Sequence, residues 1–224
     1  MIDDTMAKWG RIDIIIANAG ILRDRSFSKM TTEDIDLVLA VHLRGSFLPV
    51  HAAWDIMKAQ NYGRIVVTTS STGLYGNFGQ ANYGAAKLGV VGMMNTLKIE
   101  GAKNDIKINA VCPIAATRMT EDIMSEQMLN ALKPEYVTPG VINLVKEDAP
   151  TGMILSAGAG AFSMARIVET AGVFVGAGDA LTAEAVAAKW DQITDVNTTR
   201  PAFKAGGEHG QNIFAAVAAA TAKA

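Results

Sequence analysis

Ile65-Val66-Val67-Thr68-Thr69, followed by Ser70 and then by Tyr83-Gly84-Ala85-Ala86-Lys87, is the stretch on which the fold turns. The β-branched run, introduced by Gly63-Arg64, reads as a buried strand. Gly73 to Asn82 is rich in glycine and asparagine and reads as a loop. Tyr83 to about Gly101 predicts a long helix. A strand that gives way to a loop and then to a helix is the repeating unit of a parallel α/β sheet.

The flanking sequence repeats the alternation. Asp3 to Trp9 is a short helical stretch closed by Gly10. Ile12 to Ala17 is an almost continuous apolar run ending in Asn18-Ala19-Gly20, which predicts a strand buried on both faces. Thr31-Thr32-Glu33-Asp34 places a hydroxyl cap before first-turn acids. Residues 32 to 60 then read as helical, with Pro49 the place for a kink. Ile106 to Val111 is a third strand, stopped by Pro113. The pattern predicts an α/β parallel sheet with helices on both faces. After residue 150, Gly172 to Gly176 reads as a last strand, Thr182 to Ile193 as a capped helix, and Ala215 to Ala224 as a frayed helix. No repeat of fixed period and no linker appears. Residues 1–150 are therefore expected to form the catalytic α/β domain, and 151–224 an extension packed on it.

Composition narrows the function classes. Of 224 residues, half are hydrophobic and 19% are charged, with a net charge of -2. That is the balance of a globular chain. No basic stripe offers a footprint for a phosphate backbone, so nucleic acid is not an expected partner. Cys112 is the single cysteine, which rules out a disulfide framework within the chain and a multi-cysteine metal site. Apolar runs are shorter than the roughly 20 residues of a membrane span, and Met1-Ile2-Asp3-Asp4 lacks the character of a signal peptide. No membrane partner is expected, and the cytoplasm is the default address.

Tyr83 and Lys87 stand four apart on one helical face, close enough to interact. A tyrosine hydroxyl titrates near pH 10, too high for proton transfer at neutral pH. A neighbouring ammonium favours the phenolate. By itself the pair also describes a half-buried tyrosine and a surface lysine. Ser70 adds a hydroxyl where a strand ends, and sites in α/β sheets form beyond the carboxyl ends of strands. Asn18-Ala19-Gly20 and Pro113 to Thr117 end two further strands at the same predicted edge.

These pieces, with Asn109, resemble the short-chain dehydrogenase/reductase family in order and spacing. The resemblance implies a Rossmann-like fold and a nicotinamide cofactor. It implies that Tyr83 exchanges a proton with the substrate oxygen and that Ser70 hydrogen-bonds that oxygen. Lys87 would depress the Tyr83 pKa and hold the nicotinamide ribose. Asn18, Ala19 and Gly20 would line the cofactor groove, and Pro113, Ile114 and Thr117 would flank the carboxamide. His42 stands where the family usually carries the asparagine of a proton relay. It either bridges to Lys87 through water or is a satisfied core residue. Ile114 replaces the usual glycine after Pro113.

Four stretches (Asn18 to Phe27, Val41 to Phe47, Tyr75 to Tyr83 and Ala131 to Val137) resemble one branch, the dehydrogenase unit of peroxisomal multifunctional enzymes type 2 and their bacterial relatives. There His42 is expected. The branch implies interconversion of a (3R)-3-hydroxyacyl-CoA and a 3-ketoacyl-CoA with NAD, NADP not being excluded, in a homodimer, and in the peroxisome if the source is eukaryotic. A 3-oxoacyl thioester reductase is the neighbouring activity. Against the family, the glycine-rich pyrophosphate turn is missing near the start, so the first βαβαβ portion is expected to be absent. That leaves three readings: a fragment of an intact enzyme, a catalytically impaired dimerising module, or a half completed by a partner chain. As written, the sheet would expose an unpaired edge strand at Ile12 to Ala17.

Overall fold

The computed structural model describes residues 1–116, 125–200 and 204–221. Five strands form one sheet in the order β1-β2-β3-β4-β5. They are β1 (Ile14–Ala17), β2 (Gly63–Thr68), β3 (Ile106–Pro113), β4 (Ile154–Gly158) and β5 (Ala161–Ala165). The first four pair in parallel, and β5 returns antiparallel to β4. The helices are α1 (Ile2–Trp9), α2 (Thr32–Leu39), α3 (Gly45–Gln60), α4 (Ser71–Tyr75), α5 (Ala81–Glu100), α6 (Glu126–Ala131) and α7 (Thr138–Val145). The parallel strands need crossovers, and helices supply them.

Strand alternation divides the core into two layers. Ile65, Val67, Ile106, Ile108 and Ala110 pack with Val50, Ala53 and Met57 of α3 and Val90, Met93 and Met94 of α5. Val66 and Val111 point the other way, against Val137, Leu144 and Ala157. All six residues of β2 are buried, as a central strand covered on both faces requires.

Local chemistry sets the element ends. Gly10 closes α1 at φ 70°, a left-handed turn that glycine adopts without strain. Thr31 and Asp34 form a reciprocal capping box on α2. Ala40–Arg44 takes π-helical turns between α2 and α3. Pro49 lies inside α3, where it removes one i→i−4 donor.

Two other expectations change. The apolar run ending in β1 is not buried on both faces: Ile14 and Ile16 are about half exposed. Position overrides sequence here, because β1 is the sheet edge and pairs only with β2 among the described residues. Gly172 to Gly176 forms no strand. Gly172 has φ 64° and Gly176 φ 155°, and neither fits an extended ladder.

The chain divides into two compact units, Met1–Ala165 and the remainder from Arg166. The first reaches past residue 150 because β4 and β5 complete the sheet. The second contains α8 (Ala183–Ala187), α9 (Trp190–Ile193) and α10 (Gly206–Thr221). Thr182 caps α8, and the helix read from Thr182 to Ile193 is interrupted between α8 and α9. Arg200 N–H donates to Glu169 O at 2.8 Å and Thr170 Oγ1 to Ile193 O at 2.6 Å, tying this unit internally.

Candidate active site

Because β1, β2 and β3 are parallel, their carboxyl ends share one edge. Asn18, Ala19 and Gly20 follow β1 and are exposed, Ser70 follows β2, and Pro113 and Ile114 close β3. Thr68 Oγ1 donates to Asn18 Oδ1 at 2.9 Å, joining the first two ends. Ile114 N–H donates to Ala157 O at 2.8 Å, fixing the third. Thr117 lies outside the described residues.

The α5 helix brings Tyr83 and Lys87 to this edge. Asn82, buried, accepts from Tyr83 N–H at 2.7 Å through Oδ1 and so holds the first turn. The Thr69 hydroxyl donates to Lys87 O at 2.6 Å, lacing the strand end to the helix. Lys87 is only 4% exposed. Its ammonium donates to Thr68 O at 2.6 Å and lies 5.6 Å from the centre of the Tyr83 ring. Burial lowers its pKa to about 8.

Tyr83 is not depressed in this state. Burial pushes its hydroxyl above the ordinary value; a hydrogen bond with Ser70 works against that, while Asp24 and Cys112 add to the rise. Burial outweighs the Ser70 bond, and Lys87, itself lowered to about 8 by burial, does not offset it. A further positive charge is needed to bring Tyr83 down.

His42 sits in the π-helical segment, 2% exposed, edge-on to Tyr83 with ring centres 5.0 Å apart and an interplanar angle of 87°. Nε2 faces the Ile21 backbone, 3.0 Å from its N–H and 2.7 Å from its carbonyl, and the tautomer decides which bond is made. Nδ1 is buried without a hydrogen-bond partner among the described residues. His42 is therefore not a fully satisfied core residue. Burial, more than the nearby Lys87 charge, lowers its pKa, and the Ile21 bond opposes this. Gly20 is required by this packing, since a Cβ there would stand 2.6 Å from His42 Cε1.

Asn109 belongs to the scaffold. Fully buried, it donates to Leu144 O at 3.2 Å and Pro150 O at 2.8 Å and accepts from Met153 N–H at 3.0 Å. Sequence reasoning gave no role to Asp24, Thr68, Thr69, Thr72, Gln80 or Asn82, which hold the site together. The available signal was position for some of them: Thr68 and Thr69 end a predicted strand, and Gln80 and Asn82 lie just before Tyr83.

The short chain dehydrogenase family model matches residues 1–128. This chain belongs to that family. It is 49% identical over 204 residues to the peroxisomal multifunctional enzyme type 2 of Mus musculus, an overlap of 90% of this chain and 28% of that protein. A 3-oxoacyl-[acyl-carrier-protein] reductase of Synechocystis sp. is 39% identical over 161 residues, 69% of this chain and 65% of the reductase. The solved full-length peroxisomal multifunctional enzyme type 2 of Drosophila melanogaster superimposes with a TM-score of 0.81 at 38% identity, covering 89% of this chain and 37% of that one. The chain thus spans well under half the length of its multifunctional relatives.

Membership in the short chain dehydrogenases implies oxidoreductase chemistry with a nicotinamide cofactor. The residues present fit the nicotinamide–ribose end of such a group. An ammonium has three donors, and Thr68 O takes one from Lys87. The Tyr83 ring centre lies 5.6 Å from the ammonium, and the exposed Asn18-Ala19-Gly20 turn and Ile114 leave the strand edge open.

Proposed function

We propose that the chain carries out the dehydrogenase reaction between a (3R)-3-hydroxyacyl-CoA and a 3-ketoacyl-CoA, with NAD as hydride acceptor. The observation that carries this reading is the convergence of Ser70, Tyr83 and Lys87 at one strand edge, in a chain half identical to a peroxisomal multifunctional enzyme type 2 over most of its length.

Each residue has a task that follows from its surroundings. Ser70 hydrogen-bonds the substrate oxygen and fixes it beside Tyr83. Tyr83 takes the hydroxyl proton in the oxidative direction and returns it in the reductive one. Lys87 holds the ribose through its remaining donors. Asn18, Ala19 and Gly20 line the groove, and Pro113 and Ile114 border the carboxamide. The nicotinamide, when bound, accepts the hydride, and its oxidised ring contributes the positive charge that Tyr83 lacks. His42, neutral and in edge contact with Tyr83, keeps the ring in place and offers Nδ1 to a proton relay.

Turnover with a 3-hydroxyacyl-CoA, comparing NAD with NADP and wild type with Tyr83→Phe, tests the reading. Tyr83→Phe is expected to lower kcat by about 10²–10⁴-fold, the usual contribution of a proton-transfer group. Undiminished turnover in that variant removes the catalytic assignment. The Synechocystis relative favours a second reading, reduction of a 3-oxoacyl thioester on a carrier protein. A carrier-bound substrate preferred over its CoA counterpart decides for it.

We also propose a homodimer formed through α3 and α5. Met93 and Met94 belong to the core, but Phe47, Leu48, Leu88 and Ile99 on the same helices stay exposed. Light scattering of Leu48→Glu against wild type tests this, and a wild-type monomer excludes it.

A further inference from the structure

We infer that Gln80 is a positioning residue for the reacting pair, orienting Ser70 through Thr72 while Asp24 holds Gln80 in place. The inference rests on Ser70 and Tyr83 being that pair.

A carboxylate only accepts hydrogen bonds. The Gln80 side chain therefore turns its Nε2 to Asp24, at 2.6 Å. That choice fixes the amide, and Oε1 is left facing the Thr72 hydroxyl at 2.8 Å and Asn77 Nδ2 at 3.0 Å. Thr72 has one hydroxyl proton, and Gln80 receives it. Thr72 N–H in turn donates to Ser70 Oγ at 3.2 Å. Accepting that bond holds Ser70 Oγ at the start of α4, where Ser70 acts on Tyr83 and lowers its pKa.

The backbone supports the same register. Arg25 N–H donates to Gly79 O at 2.9 Å, and Asn82 Nδ2 donates to Arg23 O at 3.2 Å. Segments 23–25 and 79–82 therefore run against each other, and Gln80 to Asp24 is the side-chain link between them. A reacting hydroxyl must be held within about half an ångström, which packing alone does not guarantee for a serine rotor.

Tyr83 is the reporter. The groups that face it are Lys87 on its own helix, Ser70 at the end of β2, His42 in the π-helical segment, Asp24 in the loop and Cys112 on β3. Losing the Ser70 hydrogen bond raises its pKa, because that bond favours the phenolate. Loosening the site and wetting the ring does the reverse, since burial is what holds the value up. The two causes are thus separated by sign.

The experiment is a pH titration of protein labelled with [13Cζ]tyrosine, without cofactor or substrate. The Tyr83 resonance is assigned by its loss in Tyr83→Phe. Gln80→Met keeps the side-chain length and removes the hydrogen bonds. Its Tyr83 is expected to titrate at higher pH than in wild type. Gln80→Glu sets two carboxylates against each other and is expected to disturb Ser70 likewise. Adding Asp24→Asn restores a donor opposite the new carboxylate at unchanged net charge, and the double variant is expected to return toward wild type. A Tyr83 titration in Gln80→Met that overlays wild type, or moves down, overturns the proposal. So does a double variant no better than Gln80→Glu. Because no turnover is read, a wrong substrate leaves this result standing.

Discussion

Two buried cations sit at opposite ends of β2, and the chain treats them differently. Arg64, at the amino end, is fully buried. Its guanidinium makes five hydrogen bonds, to the carbonyls of Gly63, Asp105, Lys146 and Glu147 and to the Asp105 carboxylate at 2.9 Å. Tyr62 stacks on it, 4.1 Å away. Lys87 packs at the carboxyl end and is given one carbonyl, that of Thr68. Its pKa drops to about 8. A saturated cation is a joint: Arg64 fastens β2 to the turn before β3 and to the segment after α7. An under-satisfied cation is a tool, because its free donors and shifted proton affinity are available to something that binds.

The contrast is open to attack by substitution, and the largest expected effect is at the joint. Arg64→Met abandons Asp105 and four carbonyls at once. It is expected to cost about 3 kcal/mol or more in denaturant unfolding, mainly from carbonyls left without a donor, since the Asp105 carboxylate is half exposed. Lys87→Met is expected to keep or raise stability, since it removes a desolvated charge, yet to lower kcat by about 10²-fold or more. Equal losses of stability in the two variants break the comparison.

Asn109→Ala sharpens it on the scaffold side. Two carbonyls and one N–H lose their partner, and a loss of about 1–3 kcal/mol is expected, with the Tyr83 titration unchanged. The last effect is a slope. Lys87 titrates at about 8 when folded and near 10.4 when unfolded. Between these values the unfolded chain binds the extra proton, so this group makes stability rise with pH across that window and contributes no slope below it. Wild type is expected to gain on Lys87→Met between pH 8 and pH 10 in paired unfolding curves. A constant difference refutes the assignment.

Much of the edge chemistry was legible in one dimension. Four-residue spacing put Tyr83 and Lys87 on one helical face, and Ser70 fell where a β-branched run ended. The His42 environment was not legible, because its partners lie on two segments distant from it, Gly20 and Ile21 after β1 and Tyr83 on α5. Nor was Arg64, read only as the lead into a strand. Its partners Asp105, Lys146 and Glu147 are distant in sequence and meet it only when β3 and α7 pack beside β2. Gly172 to Gly176 misled for the opposite reason: apolar residues suggested a strand, while backbone conformations open mainly to glycine prevented one.

The sequence by itself determined the strand–helix alternation, the capping of α2 and the hydroxyl–phenol–ammonium set, because each depends on spacing within one segment. Tertiary structure alone decided which cation became a joint and which stayed free. It also decided that Ile14 and Ile16 lie at an edge and that Tyr83 is pushed up rather than down. Burial and long-range partners set those properties, and both arise only when segments far apart in the chain are brought into contact.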